Sequence, residues 1–293
     1  MKVLVLGATG MLGSMVYNHL RRLSYMSVTG TARKGINNFI KYDIYNGLDN
    51  SALDGLEIDF IINCIGITKP YCHDDNRSEI KNAVYVNSLF PLTLAEFSEK
   101  RGIKVIQIAT DCVFSGTKGP YSEDSPHDPL DVYGKTKSLG ELKSKALLNV
   151  RCSIIGPEKY KKDFLLEWFL MQPEETKVNG FAHHLWNGVT TLQFARLCEL
   201  IIIKNKFDTL VNESNTHHFI PNSAVNKYEL LNIFNKVFDK KLIVERYEDK
   251  KNILDRTLVS KYNIISSFFP SVNMENALVE LKQYIEEEGF YNA

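Results

Sequence analysis

Lys2-Val3-Leu4-Val5-Leu6-Gly7-Ala8-Thr9-Gly10-Met11-Leu12-Gly13 decides how this chain folds. Residues 3–6 are continuously apolar, which suits a strand covered on both faces. Gly7 ends that run, and Leu12 opens a helical pattern that reaches Leu23. A strand, a glycine turn and a helix in that order form the context in which a dinucleotide pyrophosphate is held. Glycines allow the tight turn and the close approach of backbone to phosphate, which then rests on the helix amino terminus. The spacing is Gly-x-x-Gly-x-x-Gly, and Gly7, Thr9, Gly10, Met11, Leu12 and Gly13 are expected to form the cofactor loop.

Outward from this stretch, short β-rich runs alternate with longer helical ones. The runs Lys2–Leu6, Ser27–Thr31, Phe39–Tyr42, Phe60–Ile65, Lys104–Ala109 and Leu148–Cys152 read as strands. Helices are expected over Leu12–Leu23, roughly Ile80–Lys100, and Val132–Ala146. This rhythm predicts an α/β fold, a Rossmann-type doubly wound parallel sheet. Past Ile155 the rhythm loosens, with Gly156-Pro157 as punctuation, so a smaller C-terminal α/β substrate-binding lobe is expected. The division is a cofactor domain over 1–155 and a second lobe over 156–293, with a helix near 191–204 packing back on the first. Further helices are read over Asp163–Met171, Asn226–Phe238 and Met274–Glu287, with small strands near Phe219 and Leu242–Glu245.

Ligands of such sheets bind beyond the carboxyl ends of the strands, so the residues just after each strand matter most. An NAD site usually places a carboxylate after the second strand. Here the first acidic residue of the chain is Asp43, and the second strand runs into Arg33-Lys34. A guanidinium suits a 2′-phosphate through paired charge-assisted hydrogen bonds, which favours NADP(H). Asp43 and Ile44 are expected to flank the adenine, and Cys64, Ile65 and Gly66 to run beside the phosphates and ribose.

Tyr133 and Lys137 stand at i and i+4 on a predicted helix, so phenol and ammonium share one face. A tyrosine is a poor acid near neutrality, and a neighbouring lysine charge is expected to lower its pKa. Thr110 ends the apolar run Val105–Ala109, which puts its hydroxyl at the carboxyl edge of the sheet within reach of the same carbonyl oxygen.

Gly7–Gly13, Ala109-Thr110-Asp111-Cys112-Val113-Phe114-Ser115-Gly116, Tyr133–Lys137 and Gly140-Glu141 together resemble the dTDP-4-dehydrorhamnose reductase family of extended short-chain dehydrogenases. The resemblance implies catalysis by Thr110, Tyr133 and Lys137, with Asn87 supporting a proton-relay water. It further implies substrate contacts from Asp111, Cys112, Val113, Ile154, Trp186 and Arg256. The implied activity is NADPH-dependent reduction of a nucleotide-linked 4-keto-6-deoxy sugar in deoxysugar biosynthesis. Cys112 stands where the family commonly has an aromatic residue, and Arg151–Ile155 lacks the tryptophan often found there. A dTDP- or UDP-linked substrate therefore stays open, including a UDP-2-acetamido-2,6-dideoxy-4-hexulose. A reading of another class also stays open, an NADP-binding regulatory subunit resembling the beta subunit of methionine adenosyltransferase.

Bulk properties narrow the field. Lys+Arg and Asp+Glu are both 35, so there is no basic excess for nucleic acid. The richest apolar run, Leu200–Ile203, is cut off by Lys204, far short of a membrane span, and a cytoplasmic protein is expected. The five cysteines include no Cys-x-x-Cys pair and fit reduced, core-like thiols. His183-His184 and His217-His218 lack helical partners, so no metal is expected. Monomer and homodimer are both compatible with the sequence.

Overall fold

The computed structural model describes residues 1–36, 38–48, 53, 55–159 and 161–291. Its first half contains β1 (Lys2–Leu6), α1 (Met11–Leu20), β2 (Ser27–Ala32), β3 (Phe39–Lys41), β4 (Phe60–Asn63), α2 (Arg77–Val84), α3 (Phe90–Arg101), β5 (Lys104–Ala109), α4 (Val132–Leu139) and β6 (Leu147–Arg151). The second half contains β7 (Ile154–Ile155), α5 (Leu165–Met171), β8 (Lys177–Phe181), β9 (His184–Trp186), β10 (Val189–Thr190), α6 (Thr191–Ile203), α7 (Phe207–Glu213), β11 (Thr216–His218), β12 (Val225–Asn226), α8 (Lys227–Phe238), β13 (Ile243–Tyr247), β14 (Leu254–Asp255) and α9 (Met274–Glu287).

Seven parallel strands form the main sheet in the order β3-β2-β1-β4-β5-β6-β11. The strand order reverses between β1 and β4, which opens the crevice where a doubly wound sheet takes its ligand. Alternation along β1 builds both cores. Val3 and Val5 join Met15 and Val16 of α1 and Leu197 and Ile201 of α6, whereas Leu4 and Leu6 join Phe90, Leu94 and Phe97 of α3.

The chain beyond Ile155 returns twice to this sheet. Helix α6 packs on α1, and β11 pairs with β6 as the outermost strand. The remainder forms small sheets, with β9 between β12 and β14 and β8 beside β13, covered by α5, α8 and α9. Capping boxes close two of the helices at their starts. Thr190 and Gln193 form a capping box on α6, and Asn226 and Glu229 form one on α8.

Helix α1 ends at Leu20 rather than Leu23, and two later helices differ more from expectation. The stretch read as one helix near 80–100 starts at Arg77 and is interrupted by a π turn over Tyr85–Leu89, which holds Asn87. Helix α4 stops at Leu139 rather than Ala146, because Gly140 lies against the Asn87 carbonyl. A Cβ there would sit 1.9 Å from that oxygen. Among the described residues no helix is long and apolar enough to cross a membrane.

Candidate active site

The glycine loop lies at the crevice between β1 and β4. Gly7 adopts φ +77°, a left-handed conformation that favours glycine, and donates its N–H to Thr31 Oγ1 at 3.1 Å. Gly10 starts α1 with no side-chain cap, leaving the first-turn amides to a ligand. Gly13 is required by packing, since a Cβ would fall 2.1 Å from the Gly7 carbonyl oxygen. Leu12 is buried in the core, while Thr9 and Met11 are partly exposed. The loop therefore offers backbone N–H groups and the Thr9 hydroxyl, a cradle that fits a dinucleotide pyrophosphate.

Around it, Arg33 and Lys34 lie exposed just past β2 and form no ion pair with any described residue. Asp43 caps the turn that follows, accepting from Tyr45 N at 3.2 Å, and Ile44 is buried beneath that turn. After β4, Ile65 N donates to Asn63 Oδ1 at 3.1 Å. Gly66 leaves a gap that a Cβ would fill without a contact shorter than 3.6 Å, to Asn87 Oδ1. Cys64 continues β4 by donating its N–H to Leu6 O.

The proposed acid–base residues meet at the same edge of the sheet. Asp131 caps α4 by accepting from Gly134 N at 2.8 Å, and Asp74 accepts from Val132 N at 2.6 Å. This fixes the turn that carries Tyr133. Gly134 is needed there because a Cβ would lie 2.3 Å from Cys112 O, so α4 packs directly on the turn after β5. Burial raises the Tyr133 phenol above its ordinary value, neighbouring Cys112 adds to this, and the Thr110 hydroxyl pulls the other way. Lys137 is pushed down to about 8 by burial, with Glu141 the strongest opposing influence. Its Nζ donates to Ile108 O at 2.8 Å. The expected lowering of the phenol by lysine is thus not seen: the ammonium is tied to β5, and Thr110 is the group that favours the phenolate.

Asn87 holds its surroundings with its whole amide. Oδ1 accepts from Ile67 N at 2.9 Å, and Nδ2 donates to Ile67 O at 3.0 Å and to Thr136 Oγ1 at 3.1 Å. It fastens the loop after β4 to α4. Sequence reasoning also missed a buried amide ladder across the sheet. Asn63 Nδ2 donates to Gln107 Oε1, and Gln107 Nε2 donates to Asn149 Oδ1 and Gly140 O. The only signal was polar residues inside otherwise apolar strands.

Behind α4 lies a buried ionic cluster. Arg151, 1% exposed, donates Nε and Nη2 to the two oxygens of Glu141. It also contacts His218 Nε2 at 2.7 Å and His127 Nε2 at 2.8 Å. A guanidinium only donates, so both histidines must accept through Nε2 and are neutral. Their Nδ1 atoms face Val259 O at 2.8 Å and Ser138 Oγ at 2.7 Å. Burial pushes His218 down to about 4, with Arg151 next in effect and Glu123 opposing. His127 is lowered by burial as well. Unfolded histidine takes a proton near pH 6.5, and folded His218 refuses it until about pH 4, so this stabilisation is present above 6.5 and fades below it. The urea midpoint is therefore expected to fall between pH 7.5 and pH 5. A midpoint that stays level over that interval contradicts neutral histidines at this cluster.

The expected substrate residues separate. Asp111 is buried beside Thr110, which donates to its Oδ1 at 3.2 Å. Burial raises its carboxyl, with Arg256 opposing most. Cys112 is partly exposed next to Tyr133, its thiol pushed up to about 12 by burial. Burial raises the other four thiols too, so none is a nucleophile at neutral pH. Val113 differs from expectation in its side chain, which is fully buried with Phe114, Tyr121 and Leu258 and so offers a ligand no side-chain contact. Arg256 donates Nε to Phe114 O at 3.1 Å and Nη2 to Ser115 O at 3.2 Å, pinning the loop after Thr110. Ile154 and Trp186 line a cavity of about 110 Å³ that runs from Met11 to Lys227. Lys227 was not singled out in the sequence, where a lysine at a helix start looks like any surface charge.

Comparison with known proteins follows this geometry. A family profile described as RmlD substrate binding domain matches residues 1–249. Methionine adenosyltransferase 2 subunit beta of Rattus norvegicus is 28% identical over 243 residues, covering 78% of this chain and 70% of that protein. Spore coat polysaccharide biosynthesis protein SpsK of Bacillus subtilis (strain 168) is 32% identical over 142 residues, 48% of this chain and 47% of that one. In fold, the chain is similar to a dTDP-4-dehydrorhamnose reductase from Bacillus anthracis str. Ames, solved in complex with NADP. That likeness has TM-score 0.75 and 19% identity, over 97% of this chain and 99% of that one. Because the family profile spans the glycine loop, the Thr110 turn, the Tyr133–Lys137 helix and much of the second lobe, the chain belongs to the RmlD substrate-binding-domain family.

Proposed function

We propose that the protein is an NADPH-dependent reductase of a nucleotide-linked 4-keto-6-deoxy sugar, dTDP- or UDP-linked. The observation that carries this reading is the convergence of Thr110 from β5 with Tyr133 and Lys137 from α4 at the sheet edge that also bears the glycine loop. Residues 1–155, with the returning α6 and β11, would hold the cofactor, and the rest of 156–293 would close over the sugar. When bound, NADPH supplies the hydride that adds to the ketone carbon. The chain supplies the proton: Tyr133 transfers its phenolic hydrogen to the ketone oxygen as the C=O π bond becomes a C–O–H group. Thr110 donates to the same oxygen and steadies the charge that develops there. Lys137 anchors α4 to β5 through Ile108 O, Thr110 favours the phenolate left behind, and solvent reprotonates it. Such chemistry suits the cytoplasm, where reduced dinucleotide is held.

The test is NADPH consumption with a panel of dTDP- and UDP-linked 4-keto sugars, a UDP-2-acetamido-2,6-dideoxy-4-hexulose among them. The unpaired Arg33 supports NADP over NAD. Arg33→Ala is expected to raise KM for NADPH about 10- to 100-fold, the worth of a charge-assisted contact, with KM for NADH unmoved. Equal change for both cofactors would remove Arg33 from the 2′-phosphate site.

A second reading is supported by the relatives named methionine adenosyltransferase 2 subunit beta, matched over 78% of this chain. In that reading the protein is an NADP-binding regulatory subunit. It predicts that every sugar in the panel fails while NADP still binds and the protein co-purifies with a methionine adenosyltransferase.

A further inference from the structure

Lys227 is the first residue of α8 and is partly buried at the cavity wall. Its Nζ lies 5.4 Å from the centre of the Trp186 ring. It forms no hydrogen bond or ion pair with any described residue. Two other cations on the substrate side of the cleft are engaged. Lys69 pairs with Asp131 at 2.8 Å, and Arg256 is held by the carbonyls of Phe114 and Ser115. Asp111 is the carboxylate that faces Lys227, and it already accepts from Thr110. Burial lowers the ammonium below the usual lysine range. An ammonium drawn partly out of water, with an aromatic face beside it and no hydrogen bond to a described residue, has donors left for a ligand.

The surroundings indicate what that ligand is. The 110 Å³ cavity at Lys227 is bounded by Met11 of the glycine loop on one side and by Ser153, Phe164 and Trp186 on the other. A group entering it therefore lies between the amino terminus of α1 and the second lobe. The uncapped amino terminus of α1, whose first residue Met11 lines this space, favours an anion there.

We propose that Lys227 is a diphosphate ligand of the cleft, its ammonium taking a phosphate oxygen of a bound diphosphate. This rests on the reading that the cleft holds a dinucleotide and a nucleotide sugar, and either could supply the oxygen. The residue then acts in binding and substrate selection rather than in the proton transfer at Tyr133.

The experiment titrates the full chain with NADPH alone by fluorescence, and the NADP-loaded protein with dTDP and with UDP by calorimetry, at one fixed salt concentration. Lys227→Met is expected to weaken at least one of these affinities about 10- to 100-fold, while Lys227→Arg keeps most of it. Loss for NADPH alone assigns the contact to the dinucleotide, and loss for dTDP and UDP alone assigns it to the nucleotide sugar. Lys227→Gln repeats the comparison if the methionine variant does not fold. If the wild type binds both classes and the variants bind them within about twofold, Lys227 is not a ligand and the proposal is overturned. If the wild type binds neither class, the reading of the cleft fails and the proposal falls with it.

Discussion

Tyr133→Phe is expected to lower kcat for ketone reduction about 100- to 10,000-fold while leaving NADPH affinity unchanged. The substitution removes one oxygen from a ring held by packing, since α4 rests on the Cys112 carbonyl through Gly134 and on Asp131 and Asp74 through its first turn. The glycine loop does not depend on that oxygen. Binding and chemistry should therefore separate, with kcat lost and cofactor Kd kept. Thr110→Val should reduce kcat less, because its hydroxyl donates to the reacting oxygen without giving up its proton. Turnover close to wild type in Tyr133→Phe, measured by NADPH absorbance with a reactive sugar, would show that another group donates the proton.

The second large effect concerns stability. Glu141→Ala is expected to cost about 3–5 kcal/mol in urea unfolding, because it strands a buried guanidinium. Glu141 supplies both carboxylate oxygens to Arg151, and neither side chain is more than 5% exposed. The histidines that also meet Arg151 carry no negative charge, so they do not replace the carboxylate. Replacing both partners together, Arg151→Met with Glu141→Leu, should restore much of the loss, since no ion is then left unpaired. A loss below about 1 kcal/mol in Glu141→Ala would place it among ordinary substitutions and contradict a buried pair.

Legibility of the sequence varied with the range of the interaction concerned. The runs 2–6 and 104–109 and the helix 274–287 match the described elements end to end, and the helix near 191–204 ends one residue earlier, because periodicity and local caps decide them. The glycine loop was equally readable, since a left-handed Gly7 and a tightly packed Gly13 follow from the turn itself. Features set by distant contacts were not. Helix α4 ends early because Gly140 meets Asn87, over fifty residues away in sequence. A small strand was expected near Phe219, but that β11 pairs with β6 as the seventh strand of the main sheet was not legible.

The site followed the same division. Thr110, Tyr133 and Lys137 were read from a strand end and an i, i+4 spacing, and the structure brings these three residues to one edge. The Val113 side chain turns into the core with Phe114, Tyr121 and Leu258, which its place in sequence beside Asp111 and Cys112 could not show. Lys227 and the Asn63–Gln107–Asn149 ladder were missed because their meaning depends on what lies across the sheet or between the lobes.

The most direct test of the central claim follows the label from NADPH deuterated at the nicotinamide C4 position into dTDP- and UDP-linked 4-keto-6-deoxy sugars. The account predicts a sugar product carrying one deuterium on the former ketone carbon, formed by the wild type and abolished in Tyr133→Phe. Unlabelled sugar and unspent NADPH across the whole panel, from protein that binds the dinucleotide, would contradict it.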